Sequence, residues 1–155
     1  VALAADDDRR NGPATTVLVD RPSTMNTVPH QRILVVDDEE AIRELVGSYL
    51  RTEGFDVVEA VDGEDALAQI AQRAPELIVL DMMMPDMDGL QTFAAIRKLP
   101  GFAKTAICFL TAKLHPAEVK HWRELGICDV LAKPFSPSQL PGQLQACWQR
   151  WHQMQ

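Results

Sequence analysis

Leu77-Ile78-Val79-Leu80-Asp81-Met82-Met83-Met84-Pro85-Asp86-Met87-Asp88-Gly89 is an apolar run that stops on a carboxylate and enters a turn. Four consecutive aliphatic residues without alternation suit a strand buried on both faces, as in parallel sheets covered by helices. The same pattern recurs along the chain. Ile33-Leu34-Val35-Val36 closes on Asp37 and Asp38, Ala106-Ile107-Cys108-Phe109-Leu110 closes on Thr111, and Val130-Leu131-Ala132 closes on Lys133. As neighbouring parallel strands, these runs gather three carboxylates, a hydroxyl and an ammonium at one rim of one sheet. In open parallel sheets, ligands bind beyond the carboxyl ends of the strands, where the strand order reverses.

From residue 32 onward the short runs alternate with helical periodicity, which predicts an α/β fold with helices on both faces. The predicted strands are 32–36, 56–60, 76–80, 105–110 and 129–132. A first helix, 39–52, carries Ile42, Leu45, Val46, Tyr49 and Leu50 on one stripe and stops at Gly54. A second, 63–73, buries Ala66, Leu67 and Ile70, and a third, 89–98, buries Leu90, Phe93, Ala94 and Ile96. The fourth, 116–125, opens with Pro116 and carries Val119, Trp122 and Leu125. For the last helix, Ser136 with Gln139 three residues on predicts a capping box, and Pro141 perturbs the second turn. Leu140, Leu144, Cys147, Trp148 and Trp151 form its core-facing stripe.

The 155 residues suffice for one domain with a sizeable core. A net charge of −7 and the lack of any Lys/Arg cluster exclude general nucleic-acid binding. No apolar stretch has the length of a membrane span. Cys108, Cys128 and Cys147 are odd in number and lack paired spacing, which argues against a disulfide framework or a zinc site and for a reducing cytoplasm. Residues 1–30 differ from the rest: Asp6-Asp7-Asp8-Arg9-Arg10 is a charge run, and Gly12, Pro13, Pro22 and Pro29 punctuate the remainder. They are expected to be a disordered leader or an artificial extension, leaving 31–155 as the domain.

Crowded carboxylates repel one another, which raises the pKa of at least one until a cation is present. Mg²⁺ suits them, because it takes hard oxygen ligands and keeps several waters. An aspartate can also attack phosphorus, with lysine, hydroxyl and metal neutralising the phosphoryl oxygens. Alternatives are weaker. Asp86-Met87-Asp88-Gly89 looks superficially like the nucleophile motif of haloacid-dehalogenase-like phosphatases, but there the first Asp ends a strand directly, whereas Asp86 follows Pro85. As a calcium loop the same residues fail, because the later ligand positions hold Thr92 and Ala94.

Ile33 to Glu40, Leu80 to Gly89, Leu110-Thr111-Ala112 and Ala132-Lys133-Pro134-Phe135, in this order and spacing, resemble the receiver domain of two-component response regulators. The resemblance covers residue 31 to the end. It implies a (βα)5 doubly wound, five-stranded parallel sheet of flavodoxin-like order 2-1-3-4-5. It further implies Asp81 as phosphoacceptor, with Lys133 and Thr111 on the phosphoryl oxygens. Asp38, Asp81 and the Met83 carbonyl would ligate Mg²⁺ directly, with Asp37 acting mainly through water, and Lys133-Pro134 would be a cis peptide.

The implied protein is a switch that catalyses its own phosphorylation and dephosphorylation rather than an enzyme acting on other substrates. The implied partners are a sensor histidine kinase or histidine phosphotransfer protein, and a protein target or second copy at the fourth helix, fifth strand and fifth helix. Neither nucleic-acid contact nor membrane insertion is implied. Thr111 and the residue at 130 would form the switch, but Val130 stands where the family often carries an aromatic ring. Met83 and Lys113 occupy the positions that tune phosphoaspartate hydrolysis, and neither would position attacking water, so a long-lived phosphoryl state is expected. His30, His115, His121 and His152 are scattered and read as surface residues. The competing reading is a docking module that uses the same fold without phosphorylation, favoured by Val130 and opposed by Asp81, Thr111 and Lys133.

Overall fold

In the computed structural model, which describes residues 31–112 and 114–154, each apolar run becomes a strand. The strands are β1 (Arg32–Val36), β2 (Asp56–Ala60), β3 (Leu77–Asp81), β4 (Ala106–Thr111) and β5 (Asp129–Ala132). All pair in parallel, in the order β2-β1-β3-β4-β5. The chain reverses direction across the sheet between β1 and β3, so their carboxyl ends flank the crevice where such sheets bind ligands. Strands β3 and β4 end one residue later than the apolar runs suggest. Asp81 lies opposite Leu110, and Thr111 opposite Ala132, so both polar residues belong to the ladder.

Because successive strand residues point to opposite faces, the runs split into two cores. Leu34, Val36, Ile78, Leu80, Ile107 and Phe109 face one way. They meet α2 (Gly63–Gln72), α3 (Gly89–Arg97) and α4 (Pro116–Glu124). Phe109 is held edge-on between Phe93 and Trp122, with ring centres 5.7 Å away on each side. Ile33, Val35, Leu77, Val79, Cys108 and Leu110 face the other way, under α1 (Glu40–Thr52) and α5 (Leu140–Gln153). The central strands are therefore apolar on both sides, which is why their sequences show no alternation. Among the described residues no helix is long and apolar enough to cross a membrane.

The stripes drawn on the helices were too wide. Leu45, Tyr49, Ala94 and Leu125 are exposed, while Val46, Leu50, Phe93, Ile96 and Trp122 carry the burial. A helix resting on a sheet buries only its nearest face, and residues one position off that face point sideways. The last helix also departs from expectation. It begins at Leu140 with Gln139 as an N-cap that makes no side-chain bond, and no capping box forms at Ser136. Instead Gln139 N–H donates to Ser136 O at 3.1 Å, closing a turn before the helix. A helix through both prolines would set the Pro141 ring against the Pro137 carbonyl and remove its hydrogen-bond donor. Starting at Leu140 puts Pro141 in the first turn, where no N–H is needed, and the second turn is unperturbed.

The cysteine expectation is overturned. Cys128, just before β5, and Cys147, on α5, form a disulfide with Cα atoms 6.1 Å apart, and the Cys108 sulfur lies 2.9 Å from that of Cys147. Nothing in the local spacing could show this, because the pair meets only when α5 folds back over β4 and β5. Cysteine usage therefore no longer argues for a reducing compartment. Cys108 and Cys147 are buried, as expected of them. Residues 1–30, including His30 and the expected leader, lie outside the described residues, as does Lys113.

Candidate functional site

The rim forms as the sequence suggested. Oxygens of Asp37, Asp38 and Asp81 lie within 4.8 Å of one another. Asp37 and Asp81 are buried, whereas Asp38 is exposed. Lys133, arriving from the end of β5, places its Nζ 3.0 Å from Asp37 Oδ2 and 3.4 Å from Asp81 Oδ1. Thr111 is buried at the end of β4. Val130 is half-buried on β5 and packs against the core under α2, α3 and α4.

Backbone bonds hold these groups in register. Lys133 N–H donates to Thr111 O at 2.8 Å, and Met82 N–H to Leu110 O at 2.9 Å. Glu39 N–H donates to Asp37 Oδ1 at 2.9 Å, and Met83 N–H to Asp81 Oδ1 at 3.1 Å. The Lys133-Pro134 peptide is cis, as the resemblance implied.

The turn after Asp81 is built by sequence that looks like punctuation. Asp86 takes a positive φ of 66°, a conformation Asp tolerates better than most residues. Asp88 and Gln91 form a reciprocal capping box that starts α3. A Cβ on Gly89 would lie 2.7 Å from Met82 Cα and 2.8 Å from Asp81 O. Only glycine lets α3 begin this close to the strand end.

Burial pushes the Asp81 carboxyl up to about 6; the Met83 N–H opposes this, the Asp37 charge adds to it, and Lys133 opposes it again. Burial alone would lower Lys133, but its hydrogen bond to Asp37 and the charges of Asp37 and Asp81 outweigh that and hold the ammonium above its ordinary value. Among the described residues one ammonium, that of Lys133, thus pairs with Asp37 and Asp81 beside a third carboxylate, Asp38, which leaves the centre short of positive charge. Its donors are hard oxygens, the set that Mg²⁺ prefers. The residues present therefore fit a divalent cation.

Two contributors escaped the sequence reading. Glu39 Oε1 lies 3.8 Å from Lys133 Nζ, and Arg43 donates to Asp37 O at 2.8 Å. Glu39 adjoins the acidic pair and could have been suspected. Arg43 carries no such signal, because its bond depends on how α1 leaves β1. Behind Thr111 lies a cavity of about 420 Å³ lined in part by Met82, Met83, Leu90 and Trp122. A larger open groove of about 610 Å³ runs between α4 and β5, lined by Leu114, Pro116, Val119, Lys120, Arg123, Glu124 and Val130. Met83 lines the first cavity yet is 74 % exposed.

Known proteins share both the sequence and the fold. The family model for the response regulator receiver domain matches residues 33–145. Protein PilG of Pseudomonas aeruginosa is 38 % identical over 115 residues, covering 74 % of this chain and 85 % of PilG. The alkaline phosphatase synthesis transcriptional regulatory protein PhoP of Bacillus subtilis is 39 % identical over 121 residues, 78 % of this chain and 50 % of PhoP. This chain thus spans about half the length of PhoP and of several other regulators it matches. Among solved structures, chemotaxis protein CheY4 of Vibrio cholerae superposes with a TM-score of 0.72 at 32 % identity, covering 76 % of this chain and 98 % of CheY4. A putative response regulator from Chloroflexus aurantiacus gives 0.71 at 33 % identity, covering 79 % and 99 %. With the acidic rim in the same chain, these matches make it a member of the response regulator receiver family of two-component signalling.

Proposed function

We propose that Asp81 is the phosphoacceptor of this receiver and that Asp37, Asp38, Asp81 and the Met83 carbonyl hold Mg²⁺ during transfer. The observation that carries this reading is the Asp81 carboxylate itself. It sits at the end of the central strand, facing Lys133 at 3.4 Å and grouped with two further carboxylates. An Asp81 oxygen attacks the phosphorus of a phosphohistidine, the P–N bond breaks, and the imidazole leaves as the P–O bond forms. When bound, Mg²⁺ supplies positive charge to the phosphoryl oxygens and offsets carboxylate repulsion. The Lys133 ammonium, 3.0 Å from Asp37 Oδ2 and 3.4 Å from Asp81 Oδ1, supports its role as the partner of the same phosphoryl oxygens. Thr111, buried at the end of β4, is the hydroxyl donor. Arg43 fixes the backbone that presents Asp37 and acts by positioning.

The donor is a sensor histidine kinase or a histidine phosphotransfer protein, and the compartment is the cytoplasm, where such kinases deliver phosphate. Among the described histidines, His115, His121 and His152 are exposed and on separate turns of α4 and α5 or at their ends, so none is set to donate internally. The output surface is α4, β5 and α5, offered to a protein target or a second copy. Val130 lines the groove there in place of a ring, so the surface change runs through Thr111 and the α4 approach. An exposed Met83 at the rim does not orient a hydrolytic water, and the phosphoryl state is long-lived; phosphate release within seconds in Mg²⁺ would contradict this.

Intact mass after incubation with acetyl phosphate and Mg²⁺ tests the assignment. The expected result is one added phosphoryl group, absent in Asp81→Asn and in the presence of a chelator. Phosphorylation that persists in Asp81→Asn would overturn it. The docking reading draws on the open groove at Val130. It gains ground if wild type binds Mg²⁺ yet takes no phosphoryl group from any phosphohistidine donor, and Asp81→Asn retains its function in cells.

A further inference from the structure

Three sulfur atoms meet on the face of the sheet opposite the α2–α4 core. Cys108 comes from the middle of β4, Cys128 from the residue before β5, and Cys147 from α5. Their sulfurs all lie within 4.8 Å of one another. A trigonal thiolate centre with metal–sulfur bonds of about 2.3 Å needs sulfurs about 4 Å apart, whereas Cys108 and Cys147 bring theirs to 2.9 Å, so the reduced cluster must open by about an ångström or more to seat an ion. Among the described residues, no histidine or carboxylate joins the three.

We propose that the reduced chain binds one soft ion, of the cuprous class, through Cys108, Cys128 and Cys147. The donor set chooses the ion. Thiolate and thioether ligands select Cu(I), whereas oxygen sets like the acidic rim select Mg²⁺. Structural zinc takes four protein ligands, and only three converge here. The cluster lies inside the fold rather than on its surface. Cys108 and Cys147 are fully buried, and Leu110, Leu131, Leu144 and Trp148 belong to the same apolar cluster.

A route from solvent exists at Cys128. A cleft of about 250 Å³ is lined by Arg123, Ile127, Cys128, Arg150, Trp151 and Met154. Met154 brings a thioether to its lining, and Arg123 and Arg150 are each paired with Asp129, at 3.2 and 3.3 Å. Burial pushes the Cys108 thiol far above its ordinary pKa, so an ion must displace that proton rather than find it gone. The chemistry balances simply: Cu(I) forms sulfur–metal bonds, and the thiol protons leave to solvent through the cleft, with no change of oxidation state. The Cys128–Cys147 disulfide and the metal centre are mutually exclusive, because each uses the same sulfurs.

The full chain, reduced with dithiothreitol and then freed of it without oxygen, would be titrated with Cu(I) against bicinchoninate and weighed by native mass spectrometry. The expected outcome is one ion per chain, with affinity reduced roughly tenfold or more in Cys128→Ser and in Cys108→Ala. Cys128 is only half-buried, so Cys128→Ser keeps the fold, verified by unchanged phosphorylation from acetyl phosphate. Air-oxidised wild type is expected to hold no ion at the competitor's affinity. Failure of the reduced wild type to take Cu(I) overturns the proposal. So does equal uptake by Cys128→Ser or by the oxidised chain, either of which places the ion elsewhere.

Discussion

The acidic rim and the sulfur cluster are both built from side chains on several strands and helices, yet they follow opposite rules. At the rim, each functional group closes an apolar run, so strand ends alone bring Asp37, Asp81, Thr111 and Lys133 together. The rim is electrostatically unsatisfied among the described residues: Asp37 and Asp81 share Lys133, Asp38 crowds both, and Asp81 is held up to about 6. The sulfur cluster is apolar and satisfied by packing, and it depends on α5 lying across β4 and β5. One region stores repulsion for a ligand to relieve. The other stores contact that a mutation would lose.

Lys133 should give the largest effect in separating the two. Lys133→Met removes the ammonium that pairs with both Asp37 and Asp81 and should cost on the order of 3 kcal/mol in metal-free buffer, read by urea unfolding at pH 7. A change below about 0.5 kcal/mol would show that solvent already screens the pair. Cys108→Ser leaves a hydroxyl in a fully apolar site and should cost about 1–3 kcal/mol. Its phosphorylation by acetyl phosphate should stay intact, which an intact-mass time course would reveal. A parallel loss of phosphorylation would mean that the two regions are coupled.

Asp81→Asn should go the other way in stability. A raised carboxyl pKa means that the folded chain binds that proton more tightly than the unfolded chain does. Stability contributed by this group is then lost as pH rises from the ordinary carboxylate range through about 6. Without metal, Asp81→Asn should melt above wild type at pH 7 by an amount worth on the order of 1–2 kcal/mol, and the gain should shrink at pH 5. A constant difference across that range would place the repulsion elsewhere. Smaller still, Val130→Tyr should put a ring into the α4–β5 groove and leave the phosphorylation yield unchanged, while altering amide spectra of α4 on phosphorylation. Identical spectra with and without the ring would remove Val130 from the switch.

The same contrast explains what the sequence could reveal. Strand order and rim were legible because polar residues ending apolar runs need only parallel pairing to converge. The sulfur cluster was not, since 39 residues separate Cys108 from Cys147 and no spacing rule spans an intervening strand and helix. The start of α5 was misread because Ser136 and Gln139 satisfy a capping pattern locally, whereas Pro141 vetoes it four residues after Pro137. Arg43 stayed hidden for a further reason: it acts through a backbone carbonyl, that of Asp37.

The bond from Lys133 N–H to Thr111 O carries a mechanical consequence. It is the last rung of the β4–β5 ladder, and it ties together the backbones of two of the residues that would grip a phosphoryl group. The sheet beneath the site is thus an anvil. Whatever force a phosphoryl group exerts on the Thr111 side chain cannot be absorbed by sliding β4 against β5, and must be spent on the segment leading into α4. In hydrogen exchange, the Lys133 amide should stay slow in both states while the amides just beyond Thr111 change pace, as at a hinge whose fixed leaf ends at residue 111.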